Sequence, residues 1–106
     1  DIEPDKHNMD RAENIRIEDC LIRNNAGNGI LVYHRVKQVV IKRCKIEYND
    51  GFGVLTKSAT RGYVALNRMR HNRLDGLRIG DGTRDYAVTG NYFRNNTTRN
   101  HGIVGA

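Results

Sequence analysis

The sequence predicts an all-β solenoid, in which one short unit recurs along the chain and stacks on its neighbours. A glycine followed by an aliphatic residue recurs at spacings of 24, 23 and 26 residues, at Gly29, Gly53, Gly76 and Gly102. The 106 residues include eleven glycines and a single proline, which suits a turn-rich β protein and fits poorly with long helices. A repeat of this length implies that each unit buries its apolar face against the next unit.

Each unit is predicted to contain three short strands. The first strand alternates apolar with outward-pointing residues, as half-buried strands do, at 14–17, 38–41, 62–64 and 85–88. The second strand is centred on an inward apolar residue in every unit, namely Ile22, Ile46, Met69 and Phe93. The third strand follows the repeated glycine, at 30–32, 54–56, 77–79 and 103–104.

Asparagine occupies one column of the predicted stack in all four units, as Asn25, Asn49, Asn72 and Asn96. Equivalent residues of stacked units lie about 4.8 Å apart, so each side-chain amide can donate to the carbonyl of the next. Asparagine also tolerates the left-handed backbone conformation that a sharp bend needs. We therefore expect asparagine stacking at one bend, formed by these residues.

Two cysteines, Cys20 and Cys44, lie one repeat apart and share a column with Asn67 and Asn91. They form no CxxC pair, and the histidines at 34, 71 and 101 fall in different columns, so no zinc site is predicted. The position of the column beside the inward Ile22 predicts that both cysteines are buried free thiols.

The stretch 14–25 followed by Gly29 and Ile30, with its three echoes, resembles the right-handed parallel β-helix proteins of the pectate-lyase-like kind. The resemblance covers nearly the whole chain and implies a right-handed, single-stranded parallel β-helix of about four rungs. Proteins of this kind include polysaccharide lyases, glycoside hydrolases, mannuronan C5-epimerases, phage tailspikes and surface adhesins, and the fold does not select among them. Because a solenoid needs capped ends, we expect residues 1–106 to form a single segment of a longer β-helix or part of a homotrimer.

The net charge of +6 and the isoelectric point of about 9.7 favour an anionic partner, which is an acidic polysaccharide, a nucleic acid or a membrane surface. No apolar run is long enough to span a bilayer, and no nucleic-acid fold signature accompanies the charge. The outward positions of the second strands form a basic stripe with one aromatic, at Leu21, Arg23, Lys45, Glu47, Arg68, Arg70, Tyr92 and Arg94. Its cations and Tyr92 are the predicted substrate-binding residues, although outward Lys and Arg also serve solubility alone.

Residues 3–11 interrupt the repeat with a stretch rich in acidic, basic and histidine residues. The segment 2–7 resembles the Asp-Pro-His-Glu/Asp active-site segment of mannuronan C5-epimerases, with the histidine two positions later. The resemblance implies that Glu3, Asp5 and His7 are catalytic candidates for abstracting the C5 proton of a uronate. Lys6 and Arg11 would bind the substrate and neutralise its carboxylate. The alternatives are a solvated loop whose charges form turns, or oxygen ligands for Ca²⁺.

The sequence therefore favours a carbohydrate-active β-helix that binds an acidic polysaccharide and modifies it as a lyase or C5-epimerase does. One alternative is a non-catalytic shaft or adhesion segment of a phage tailspike or surface protein, whose packing face would include Leu31, Tyr33 and Leu55. A glycoside hydrolase of the same fold would instead need two spaced carboxylates, such as Glu3 with Asp19 or Asp5 with Asp50. All three functions place the protein outside the cell or on a virion surface.

Overall fold

The structure, a computed structural model, describes residues 13–33, 35–96 and 101–103, which form three parallel four-stranded sheets. In chain order the strands are β1 (Glu13–Glu18), β2 (Leu21–Arg23), β3 (Ile30–Tyr33), β4 (Lys37–Lys42), β5 (Lys45–Glu47), β6 (Val54–Lys57), β7 (Thr60–Ala65), β8 (Arg68–Arg70), β9 (Leu77–Ile79), β10 (Arg84–Thr89), β11 (Tyr92–Arg94) and β12 (His101–Ile103). The chain visits the three sheets in turn, so every third strand pairs with its predecessor. The predicted parallel β-solenoid with three strands per unit is confirmed.

The first sheet holds β1, β4, β7 and β10, the second holds β2, β5, β8 and β11, and the third holds β3, β6, β9 and β12. Residues that face the interior from all three sheets form one aliphatic core. Ile41, Ile46, Val64, Met69 and Leu77 are completely buried within it. Each of them lies in a column of the predicted stack, so the alternation of apolar and polar residues in the sequence reflects burial directly.

The predicted asparagine stacking is confirmed at the second bend, between the second and third strands of each unit. The side-chain nitrogens of Asn25, Asn49 and Asn72 each donate to the Oδ1 atom of the next asparagine at 2.9 Å. The backbone N–H groups of the same three residues donate to the same oxygens at 3.0–3.3 Å. This amide ladder supplies partners for polar backbone groups that the bend would otherwise bury unpaired.

The left-handed backbone conformation falls one residue earlier than the sequence predicts. Positive φ angles occur at Asn24 (59°), Tyr48 (55°), His71 (54°) and Asn95 (54°), each immediately before a ladder asparagine. The prediction that the ladder asparagines take this conformation is therefore wrong. The preceding residue turns the chain from the second sheet towards the third, and the asparagine side chain that follows it extends the ladder.

A second, shorter amide ladder lies at the first bend, in the column that begins with the cysteines. Asn67 Nδ2 donates to Asn91 Oδ1 at 3.0 Å, and the backbone N–H of Cys44 donates to Asn67 Oδ1 at 2.9 Å. Asn67 Nδ2 and Asn91 Nδ2 also bond the carbonyl oxygens of Ile41 and Val64, respectively. Asparagine stacking therefore secures two of the three bends.

The two cysteines differ in exposure. Cys44 is a free thiol with 1% of its surface exposed, as predicted, and burial raises its pKa. Cys20 is also a free thiol, but it is exposed, so the prediction of its burial is wrong. Within the described residues Cys20 stands in the first unit of the stack, where a neighbouring unit covers only one side of the column.

Bend length separates the two bends with amide ladders from the third bend. Two residues join the first strand to the second in every unit, and six join the second to the third. The third bend, which leads to the next unit, has three residues after β3, two after β6 and four after β9. The pairing of His101 with Leu77 gives a spacing of 24 residues between β9 and β12, so Gly102 aligns with Arg78. The prediction that Gly102 is the equivalent of Gly76 is therefore wrong.

Substitution of Asn49 by alanine should lower the free energy of unfolding by about 1–3 kcal/mol. Asn49 is 1% exposed, accepts two hydrogen bonds from Asn25 and donates one from its side chain to Asn72. Asp50→Ala is the matched control, because Asp50 is exposed and its backbone N–H keeps its bond to the Asn25 carbonyl. Urea unfolding measures the free energy of unfolding of both variants. Equal values for the two would contradict a stabilising role of the asparagine ladder.

Substitution of Gly53 by alanine should destabilise the stack by about 1–3 kcal/mol through overpacking. A Cβ atom at Gly53 would overlap the carbonyl oxygen of Gly76 and lie 2.9 Å from Asn72 Nδ2. Gly27→Ala is the control, since a Cβ atom there meets nothing within 4 Å. We expect thermal unfolding to show a lowered Tm for the first variant only, and a parent-like Tm at Gly53→Ala would contradict the close packing.

Candidate functional site

The outward side chains of the second sheet line a concavity of about 460 Å³, formed by Lys45, Glu47, Arg68, Arg70, Tyr92 and Arg94. We call this surface the cationic concavity. The parallel register of β5, β8 and β11 places its side chains in two columns along the stack. One column contains Lys45, Arg68 and Tyr92, and the other contains Glu47, Arg70 and Arg94. Neighbouring members of a column are separated by about one strand spacing, 4.8 Å.

The structure brings together five of the six substrate-binding residues that the sequence predicts on the second strands. Lys45, Arg68, Arg70, Tyr92 and Arg94 are exposed and line the cationic concavity. The sixth residue, Arg23, is exposed on β2 and pairs with Glu47, but it lies outside the lining. Their role in binding stays a prediction, while their convergence on one surface is a structural fact.

Glu47 departs most from its predicted environment, because an outward position was expected to face solvent and only 5% of the residue is exposed. Its Oε2 atom accepts a hydrogen bond of 2.6 Å from Arg70 Nε, and this bond, together with the carboxylate charge, raises the pKa of Arg70. Opposite charges at paired positions of adjacent strands are the sequence signal that would have indicated this ion pair.

An aromatic pair, which sequence reasoning missed, borders the cationic concavity at the second bend. The rings of Tyr48 and His71 are stacked with centroids 4.8 Å apart and planes at 5°. Both residues occupy the left-handed positions that directly follow β5 and β8. Tyr48 is 51% exposed, and its backbone N–H donates to the carbonyl oxygen of Arg70 at 3.2 Å. The signal in the sequence is that both residues directly precede ladder asparagines.

The predicted catalytic residues Glu3, Asp5 and His7 lie outside the described residues, as do the predicted substrate-binding residues Lys6 and Arg11. The same holds for one member of each carboxylate pair suggested for a hydrolase. The other member of the first pair, Asp19, is bound by Arg43 Nε at 2.8 Å, and this contact lowers its pKa. Within the described ranges, no cluster of three or more His, Cys, Asp and Glu residues suits a metal ion.

The predicted apolar packing face on the third sheet is less exposed than expected. Leu31, Tyr33 and Leu55 are half-buried, because strand pairing along this sheet places each beside its equivalent in the next unit. The Nζ atom of Lys57 lies 5.8 Å from the centroid of the Tyr33 ring and covers part of it. The described part of the chain also contains no helix long and apolar enough to cross a membrane.

A family model described as the right-handed β-helix region matches residues 7–106, and the chain belongs to this family. The match agrees with the three parallel sheets and assigns the hand of the solenoid. Searches of curated proteins and of solved structures returned no match. The family therefore defines the fold, and any statement about a ligand has to come from the surface of the molecule.

Proposed function

We propose that this chain is a carbohydrate-binding β-helix that holds an acidic polysaccharide along its cationic concavity. The observation that carries the proposal is the alignment of Lys45, Arg68, Arg70 and Arg94 on one concave surface beside an exposed tyrosine. Arginine binds carboxylates through two parallel hydrogen bonds, and tyrosine presents a flat apolar ring to a sugar.

The distribution of charge favours a linear polymer over a compact anion. Arg70 is neutralised by Glu47, whereas no ion pair occurs for the other outward cations of the second sheet within the described residues. These cations are Arg23, Lys45, Arg68 and Arg94, one on each of the four strands β2, β5, β8 and β11. A positive charge therefore recurs about every 4.8 Å along the stack, which suits a chain with regularly spaced carboxylates.

The cationic lining of the concavity also favours one kind of chemistry over another. A lyase or C5-epimerase must neutralise the uronate carboxylate before the C5 proton becomes acidic enough to remove, and the arginines are suited to this role. A glycoside hydrolase needs two carboxylates that flank the scissile bond. The described lining of the concavity contains a single carboxylate, Glu47, which is buried and bound to Arg70. We therefore propose uronate chemistry on the strength of the cationic lining, with Glu3, Asp5 and His7 as the candidate base and proton donor.

Replacement of Arg68 and Arg94 by glutamate should weaken binding to polygalacturonate about tenfold or more and flatten its salt dependence. This pair leaves Glu47 and Arg70 themselves unchanged, and both replaced side chains are exposed. Lys37→Glu with Arg84→Glu is the matched control, with the same change in net charge on the first sheet. Affinity is measured by titration calorimetry at several salt concentrations.

Equal losses in the two double variants would show that binding follows net charge alone, and unchanged affinity after Arg68→Glu with Arg94→Glu would remove the concavity from the proposal. A single-stranded homopolymeric RNA of similar length tests the nucleic-acid alternative. We expect the RNA to bind more weakly than polygalacturonate at the same salt concentration, and preferential binding of the RNA would contradict the proposal.

Proton NMR of polyuronates and neutral glycans before and after incubation with the protein tests catalysis. We expect new signals with polyuronates only: unsaturated-sugar signals indicate a lyase, and altered anomeric signals without chain cleavage indicate an epimerase. His7→Ala should abolish these signals. New reducing ends on neutral glycans would instead indicate a hydrolase. Unchanged spectra together with binding would assign the chain to the non-catalytic class.

A further inference from the structure

A buried carboxylate in a surface that attracts anions requires an explanation. Glu47 lines the cationic concavity, yet only 6% of its side chain is exposed. Its negative charge opposes the attraction of the surrounding cations for an anionic ligand. If charge were its only contribution, Glu47 would weaken the site in which it lies.

The geometry of the Glu47–Arg70 contact suggests a different contribution. Glu47 and Arg70 are paired positions on β5 and β8, so the sheet fixes the separation of their backbones. Arg70 donates to Glu47 through Nε, at 2.6 Å. Within the described residues the two terminal nitrogens of Arg70 form no hydrogen bond, and 45% of its side chain remains exposed. The contact therefore holds the inner edge of the guanidinium and leaves its outer end accessible.

We propose that Glu47 is a positioning residue that orients Arg70 so that its two terminal nitrogens bind one carboxylate of the ligand. This inference rests on the proposed binding of an acidic polysaccharide and identifies Arg70 as its best-organised contact. The planar fork of two terminal N–H groups matches the two oxygens of a carboxylate. Tyr92 lines the same concavity as Arg70, and the backbone of Tyr48 bonds that of Arg70, so two exposed rings offer an apolar surface beside that carboxylate, where the sugar ring would lie.

Fixing the side chain before binding has a measurable benefit. A free arginine loses rotamer freedom when it binds a ligand, and this cost lowers the affinity. Arg70 has already lost much of this freedom to Glu47. The other cations of the concavity, which form no ion pair within the described residues, attract the ligand by charge alone, whereas Arg70 fixes the position of one sugar.

The effect of Glu47→Ala on affinity distinguishes positioning from simple charge by its sign. Positioning predicts that Glu47→Ala weakens the binding of tetragalacturonate by about threefold to tenfold, although the variant removes a negative charge. Charge alone predicts tighter binding. Glu47→Gln should recover most of the loss, because its amide oxygen can accept the same hydrogen bond. Arg70→Lys should bind as weakly as Glu47→Ala, since lysine keeps the charge without the fork.

Two further measurements keep the test decisive. The Tm of each variant shows whether it is folded at the titration temperature. If Glu47→Ala is unfolded there, the affinities of Glu47→Gln and Arg70→Lys still distinguish positioning from charge. The Nε–H signal of Arg70 in ¹H–¹⁵N NMR should be sharp and slowly exchanging in the parent and in Glu47→Gln, and lost in Glu47→Ala.

The outcomes separate this inference from the function on which it rests. Tighter or equal binding by Glu47→Ala, or a rapidly exchanging Arg70 Nε–H in the parent, would overturn the positioning role while leaving polysaccharide binding intact. Failure of the parent to bind tetragalacturonate at low salt would overturn the proposed function, and with it the ligand assigned to Arg70. A slowly exchanging Nε–H signal would even then establish that Glu47 fixes the guanidinium.

Discussion

The stacking of equivalent residues at a single strand spacing is the constraint on which the whole structure depends. Within the described ranges the three sheets are parallel and pair each strand with its counterpart one unit away. Where successive units carry similar residues at one position, their side chains therefore lie about 4.8 Å apart. Apolar residues reinforce one another as a continuous core, amides form ladders, and like charges accumulate on the outer face. The core, the bends and the cationic concavity follow from the same geometric rule.

The bends require a backbone conformation that most residues avoid. Nine non-glycine residues in the described bends have φ angles between 54° and 64°, and four more lie at the second position of the first-sheet strands β1, β4, β7 and β10. None of the thirteen is valine, isoleucine or threonine. Each such residue costs on the order of 1 kcal/mol relative to an ordinary conformation. The asparagine ladders offset part of this cost, because they provide hydrogen bonds to the backbone immediately after the left-handed residue in two of the three bends.

Periodicity made the strands, the core columns, the asparagine ladder and the basic stripe predictable from sequence, because all of these depend on spacing alone. Details that depend on side-chain placement were not predictable. The left-handed residue is one position from the expected asparagine, since spacing does not show which of two adjacent residues turns the chain towards the next sheet. Glu47 was expected to face solvent, because its burial depends on the reach of Arg70 from the next strand. The exposure of Cys20 depends on which units cover it.

The unequal bends indicate where the protein tolerates new sequence. The first and second bends keep constant lengths of two and six residues because amide ladders cross them, whereas the third varies from two to four residues without disturbing the register of the strands on either side. An insertion in either of the first two bends would displace a ladder residue from its column. A foreign loop grafted between Asp81 and Gly82, which are both exposed in the longest third bend, would avoid both ladders and the buried Ala59. That position is the natural site for a tag, an epitope or an added catalytic loop.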